Sequence, residues 1–260
     1  MKLQFFKYQG TGNDFVMLDN LDGRFDDITI SQIRSLCDRR FGVGADGLIR
    51  LNSKQGFDFE VDYFNADGSK SFCGNGARCS VAFAETLGID VSETTFYAID
   101  GEHKAWKRNE LVSLEMKDVN SLETIQEDVI LNTGSPHYIH FEVDSEKLDI
   151  VSFGRSIRYS EPYLKEGINV NLVSVISAGT FSVQTYERGV EDETLSCGTG
   201  VTASALATAF KEKRFGQCAY DVQVKGGQLR VEFNRTDEFR FEGIRLIGPA
   251  EFVFKGSIDV

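Results

Sequence analysis

Two short phrases in this chain nearly repeat each other: Ser71-Phe72-Cys73-Gly74-Asn75-Gly76 and Leu195-Ser196-Cys197-Gly198-Thr199-Gly200. Each opens a run of small and apolar residues, Ala77 to Leu87 before Gly88 and Val201 to Phe210 before Gly216. Both runs are apolar on nearly every face, which predicts helices enclosed by sheet. The segments after the two runs also match. Thr95 to Glu102 with a second strand reaching Trp106, and Asp221 to Gln228 with Leu229 to Phe233, each read as strand, glycine turn, strand. Cysteine, glycine-opened helix and hairpin thus occur once in each half of the chain. Internal duplication is the economical explanation, giving two similar α+β lobes with a site between them.

Period-two alternation recurs in Phe57 to Tyr63, Tyr138 to Val143, Thr180 to Tyr186 and Leu229 to Phe233, as in half-buried antiparallel strands. The predicted fold is therefore α+β: two pseudo-symmetric lobes, each a mainly antiparallel sheet wrapped around a central helix. The first lobe spans residues 1–118 and the second 119–248, with a final strand in 249–260 returning to the first. Glu115 to Thr124 is polar and reads as the crossover. A further helix is expected over Ser31 to Arg40, opened by a capping box of Thr29 and Gln32.

Charge narrows the partners. With 28 basic against 40 acidic residues the formal net charge is −12. An acidic chain without a basic stripe argues against nucleic acid or an anionic membrane as partner. No apolar stretch reaches the roughly 18 residues that span a bilayer. The N-terminus enters a strand pattern directly, so a cytoplasmic protein is expected. The five cysteines are spread out and odd in number, unlike a disulfide framework, and no C-x-x-C pair or histidine cluster suggests a metal.

The repeated phrase has chemical content. A thiol just before a helix N-terminus sits where thiolate is favoured. Two such thiols suit a pair of acid/base groups, because inverting a carbon beside a carboxylate removes a hydrogen from one face and returns one to the other. The backbone N–H groups at Gly74-Asn75 and Gly198-Thr199 would stabilise the charge that develops on the carboxylate. That is the pattern of a two-base racemase or epimerase. Cys37 and Cys79 read as packing residues, and Cys218, after a helix end, has no evident role.

Other segments are ambiguous alone. Gly10-Thr11-Gly12-Asn13 is a hairpin turn and no dinucleotide fingerprint. Asn65-Ala66-Asp67-Gly68 is a turn, and His137 after Pro136 reads as structural. Arg188 could hold a carboxylate bidentately. Glu191 to Glu193 reads as a solvated turn.

Taken together, GTGNDF (10–15), FGVGADG (41–47), NADGS (65–69), CGNGARC (73–79), GSPH (134–137), NVN (169–171), YERG (186–189) and CGTG (197–200) resemble the diaminopimelate epimerase family essentially end to end. The resemblance implies interconversion of LL- and meso-diaminopimelate without cofactor or metal, in lysine and peptidoglycan precursor biosynthesis. It implies that Cys73 and Cys197 are the catalytic pair and that Gly74, Asn75, Gly198 and Thr199 hold the reacting carboxylate. Asn13, Asn65, Asn169 and Arg188 would read the distal amino-acid end, while Glu187 would bind beside the reacting amine and, with His137, tune protonation. A homodimer is also implied.

Gly47 stands where many members have Gln, and Ser135 where many have Asn, so neither polar substrate contact carries over. The stretch from Glu187 to Cys197 is one residue longer than the common pattern and lacks its second glycine, so the approach to Cys197 is expected to bend differently. Proline and hydroxyproline racemases usually carry CGHG at the first cysteine. PhzF-like isomerases lack the cysteine pair. A non-catalytic module would be expected to have lost one cysteine or the helix-start glycines, and a thiol peroxidase needs no duplicated carboxylate loop.

Overall fold

The computed structural model describes residues 2–142 and 148–259. It divides into two compact units, Met1–Leu114 with Gly248–Val260, and Glu115–Ile247.

In the first unit, β1 (Lys2–Gly10) turns into β2 (Asn13–Asn20), and helix α1 (Ile30–Cys37) leads to β3 (Gly47–Asn52). Next come β4 (Phe59–Asn65), helix α2 (Gly74–Thr86), β5 (Thr94–Ala98), β6 (Gly101–Arg108) and β7 (Leu111–Glu115). In the second unit, β8 (Leu122–Ile125), β9 (Asp128–Asn132) and β10 (Pro136–Phe141) precede helix α3 (Ile150–Arg158). Beyond it lie β11 (Asn169–Ser177), β12 (Thr180–Glu187), the short β13 (Asp192–Thr194) and helix α4 (Gly198–Lys211). The hairpin β14 (Gly216–Val224) and β15 (Gly227–Arg235) continues into β16 (Phe241–Pro249). The last strand, β17 (Glu251–Asp259), pairs antiparallel with β1, with a register shift between Lys7 and Tyr8.

Most neighbours are antiparallel, but among the described residues each unit contains two parallel pairs: β2 with β3 and β4 with β5, then β10 with β11 and β12 with β14. Each parallel pair is bridged by a helix, since parallel neighbours need a crossover. The matching order therefore also pairs α1 with α3, a correspondence their sequences do not display.

The central helices are enclosed as their composition requires. Every residue of α2 from Gly74 to Ala84 is buried, and in α4 so is nearly every residue from Gly198 to Ala209. Each is surrounded by strands of its own unit. Under α1, Ile33 and Leu36 join Leu3, Phe5, Val16 and Leu18. On the other unit, Ile150 of α3 meets Tyr138, Val170, Leu172 and Tyr186. Each such large apolar side chain contributes about 1.5–3 kcal/mol on leaving water.

Several local expectations are corrected. The capping box of Thr29 and Gln32 is present, yet α1 stops at Cys37 rather than Arg40. Asp38 ends it by accepting from the N–H groups of Arg40 and Phe41 at 2.7 and 2.8 Å. The returning chain crosses so closely that a Cβ on Gly42 would lie 1.9 Å from the Ser35 carbonyl. The segment Glu115 to Thr124 is not a plain polar crossover: Met116 and Val119 are buried, and Val119 bridges to Phe241. Of Glu191 to Glu193 only Glu191 lies in a turn, because Asp192 and Glu193 enter β13, which pairs with β12. Cys218 lies inside β14 and is buried. The alternating run at Tyr138 forms β10 to Phe141, and Val143 lies outside the described residues.

Candidate active site

Each unit carries its own constellation around the cysteine that precedes its buried helix. In the first unit Cys73 is the N-cap of α2, in extended backbone, and its Sγ accepts from the Gly76 N–H at 3.4 Å. Thiol donation from Cys73 to Asn13 Oδ1, also 3.4 Å, ties the helix start to the β1–β2 turn. Asn75 Nδ2 donates to the same oxygen at 3.3 Å. The amide orientations are set from outside: Asn13 Nδ2 donates to Asp46 Oδ2 at 2.6 Å, and Arg78 Nη2 donates to Asn75 Oδ1 at 2.9 Å.

Arg78 is wholly buried, and its other hydrogen bonds go to the Thr11 hydroxyl and the Pro249 carbonyl. Its Nη1 has no hydrogen-bond partner among the described residues. Burial pulls its pKa down. Nearby, Asp14 is pushed up by burial but held down to about 2 by hydrogen bonds from Arg39 and Lys7. Arg39 also reaches Asp46 at 2.7 Å, so the acid that fixes Asn13 is itself fixed.

Asn65 stands apart from this group. Its Oδ1 accepts from Tyr63 Oη at 2.9 Å and its Nδ2 donates to Ser69 and Ser71. Tyr63 also explains Gly47. A Cβ there would lie 2.4 Å from Tyr63 Cε2 and 2.5 Å from the Phe64 carbonyl oxygen, so the tyrosine ring occupies the space a longer residue would need.

In the second unit Cys197 is the N-cap of α4, again in extended backbone, and is 8% exposed. Its Sγ lies 3.5 Å from Thr199 Oγ1. The same hydroxyl is 2.9 Å from Nε2 of His137, and the Thr199 carbonyl accepts from Thr133 Oγ1 at 2.8 Å. His137 is fully buried, and desolvation, helped by the charge of Arg188, lowers its pKa to about 3.

Asn169, Ser135 and Arg188 form a second group. Asn169 Nδ2 donates to Ser135 Oγ at 2.9 Å and its Oδ1 accepts from the Arg188 N–H at 2.9 Å. Arg188 Nη2 donates to Ser135 Oγ at 3.2 Å, and Nη1 to the Glu166 carbonyl at 2.8 Å. Glu187 is half-buried at the end of β12, where its carbonyl accepts from Val190 and Glu191. Glu191 has φ of 61°, a conformation that favours glycine, in the stretch where the common pattern has its second glycine. Its Oε2 accepts from Tyr186 Oη at 3.0 Å.

The structure thus groups Asn13, Cys73 and Asn75, groups His137, Thr199 and Cys197, and joins Asn169 to Arg188. Sequence reasoning missed Asp46, Arg78 and Asn171, which orient those residues. All three lay inside quoted motifs, FGVGADG, CGNGARC and NVN, and burial distinguishes Arg78 and Asn171 alone. Among the described residues no group of His, Cys, Asp and Glu has the arrangement of a metal site, and no helix is long and apolar enough to cross a membrane.

The chain matches the family model described as Diaminopimelate epimerase over residues 5–120 and 129–253. It is 48% identical over 258 residues to a diaminopimelate epimerase of Flavobacterium psychrophilum, covering 98% of this chain and 100% of the relative. It is 38% identical to one of Chlorobaculum tepidum, covering 96% and 99%. Among solved structures, a PhzF-family phenazine biosynthesis protein of Bacillus anthracis superposes with a TM-score of 0.78 at 14% identity, over 100% of both chains. A hydroxyproline epimerase of Agrobacterium vitis gives 0.70 at 14%, over 99% of this chain and 91% of that one. These two share the fold.

Proposed function

This chain belongs to the diaminopimelate epimerase family, and from that premise we propose that Cys73 and Cys197 are its two acid/base groups. Its activity is that of the family, an isomerase reaction of lysine biosynthesis. The substrate pair is LL- and meso-diaminopimelate. The thiolate of one cysteine takes the α-hydrogen as a proton, and the thiol of the other delivers a proton to the opposite face of the same carbon. Between those steps the extra electron pair is delocalised into the α-carboxylate. Backbone N–H groups at Gly74-Asn75 and Gly198-Thr199 stabilise that charge, and one such donor is worth about 2.7–4 kcal/mol of barrier.

The observation that supports this most is that both cysteines are N-caps of buried helices, with glycines next in line. Burial pushes the Cys37 thiol up to about 11 and raises Cys79 further, which disfavours the thiolate at both. Asn13, Asn65, Asn169 and Arg188 bind the distal amino-acid end. Glu187 binds beside the reacting amine and, with His137, tunes protonation. A cytoplasmic homodimer completes the proposal.

Incubation with LL-diaminopimelate in deuterated water tests it. The expected result is meso product with deuterium at one α-carbon. Exchange into proline instead would move the chain to the proline racemase reading.

A further inference from the structure

We propose that Asn171 is a positioning residue: its amide fixes which nitrogen of His137 carries the proton and so turns the Thr199 hydroxyl hydrogen toward Cys197 Sγ. This rests on the assignment of Cys197 as an acid/base group. Asn171 touches neither the sulfur nor, by that assignment, the substrate.

The direction of each hydrogen bond is dictated by groups that have no choice. Asn171 Nδ2 lies 3.2 Å from the Tyr138 carbonyl oxygen, which can only accept, so this end of the amide is the NH2. The other end, Oδ1, accepts from Thr185 Oγ1 at 2.9 Å. The same NH2 lies 3.1 Å from His137 Nδ1. That nitrogen must therefore accept, and a neutral imidazole that accepts at Nδ1 carries its proton on Nε2. Burial keeps the ring neutral. Nε2–H then donates to Thr199 Oγ1 at 2.9 Å, which leaves the single hydroxyl hydrogen free to point elsewhere. Cys197 Sγ is 3.5 Å from that oxygen. A hydroxyl that donates to sulfur favours the thiolate over the thiol.

With the other tautomer, Nε2 would accept, the threonine would donate to the ring, and Cys197 would have to remain a donor. The amide therefore decides the polarity of the whole relay. It is held firmly: Asn171 is fully buried, and a Cβ on Gly200 would lie 2.4 Å from its Oδ1. Around the cluster β9 is followed by Thr133, β11 presents Asn169, β12 presents Thr185, ends at Glu187 and is followed by Arg188, and α4 presents Thr199. Arg188 acts against a charge on His137 and so reinforces the neutral ring. Cys73 differs, since it meets the Gly76 N–H and the acceptor Asn13 Oδ1, neither of which depends on a tautomer, so its thiol serves as a reference within the same molecule.

The first test is nitrogen NMR of protein labelled with 15N-histidine, with the His137 signals assigned by their loss in His137→Gln. The expected state is the Nε2–H tautomer, and an Nδ1–H tautomer overturns the proposal without any variant of Asn171. The second is alkylation by iodoacetamide at neutral pH, tracked peptide by peptide by mass spectrometry. Asn171→Ala is expected to slow modification of Cys197 about tenfold, the size of one hydrogen bond to a charged group, and to leave Cys73 unchanged. Equal slowing at both cysteines, or none at Cys197, overturns it. Neither readout uses turnover, so failure of the catalytic assignment would show separately as deuterated meso product that is still formed after loss of a cysteine.

Discussion

Asn13 Nδ2 donates to Asp46 Oδ2 at 2.6 Å, and this leaves the Asn13 carbonyl oxygen as the atom that meets Cys73 Sγ at 3.4 Å. An acid on the loop before β3 thereby chooses which face of an amide is offered to a thiol. Asp46→Ala removes that choice while its half-exposed position spares the core. Steady-state kinetics on LL-diaminopimelate should show kcat/KM reduced about tenfold, the size of a charge-assisted hydrogen bond. The melting temperature should change little. An unchanged kcat/KM would mean that Asn13 keeps its orientation without Asp46.

Gly47 and Tyr63 form one packing unit. Restoring the common family residue with Gly47→Gln places a Cβ 2.4 Å from the Tyr63 ring and 2.5 Å from the Phe64 carbonyl. Overpacking of that kind costs about 1–3 kcal/mol. Urea denaturation should show that loss, and KM for diaminopimelate should not improve. Adding Tyr63→Ala should not restore the stability, because the Phe64 carbonyl remains in the way and the buried ring that packs on Phe15 is lost. A single variant as stable as the parent would show that the β3–β4 pair yields easily.

His137 makes stability depend on pH. Its folded pKa, about 3, lies below the unfolded value of about 6.5, so the unfolded chain takes up the proton first. The contribution is full above about pH 6.5 and is lost as pH falls toward 3, at up to about 1.4 kcal/mol per pH unit. Denaturation curves across that window should therefore fall more steeply for the parent protein than for His137→Gln. Parallel curves would show that the imidazole gains protons equally in both states.

Much of this was legible in the residues themselves. The two cysteine phrases, their enclosed helices and the hairpins after them could be read from composition and period, and the chain belongs to the family those motifs resemble. The parallel pairs were not legible, since alternation reports which face is buried and not which way a neighbour runs. The end of α1 depended on Asp38 accepting from Arg40 and Phe41, a choice between turn and helix that is settled by the chain returning at Gly42. Asp46, Arg78 and Asn171 escaped notice for a related reason. An orienting residue is defined by what its partner's other end is bonded to, and that three-body relation is set by the fold and not by residue type.

The central claim is that two thiols work opposite faces of one carbon, and the most direct measurement is turnover of LL-diaminopimelate by Cys73→Ala and Cys197→Ala in deuterated water. Both variants should keep the circular dichroism of the parent, and each should fail to produce deuterated meso product. Full production of that product by either one would contradict the two-thiol account.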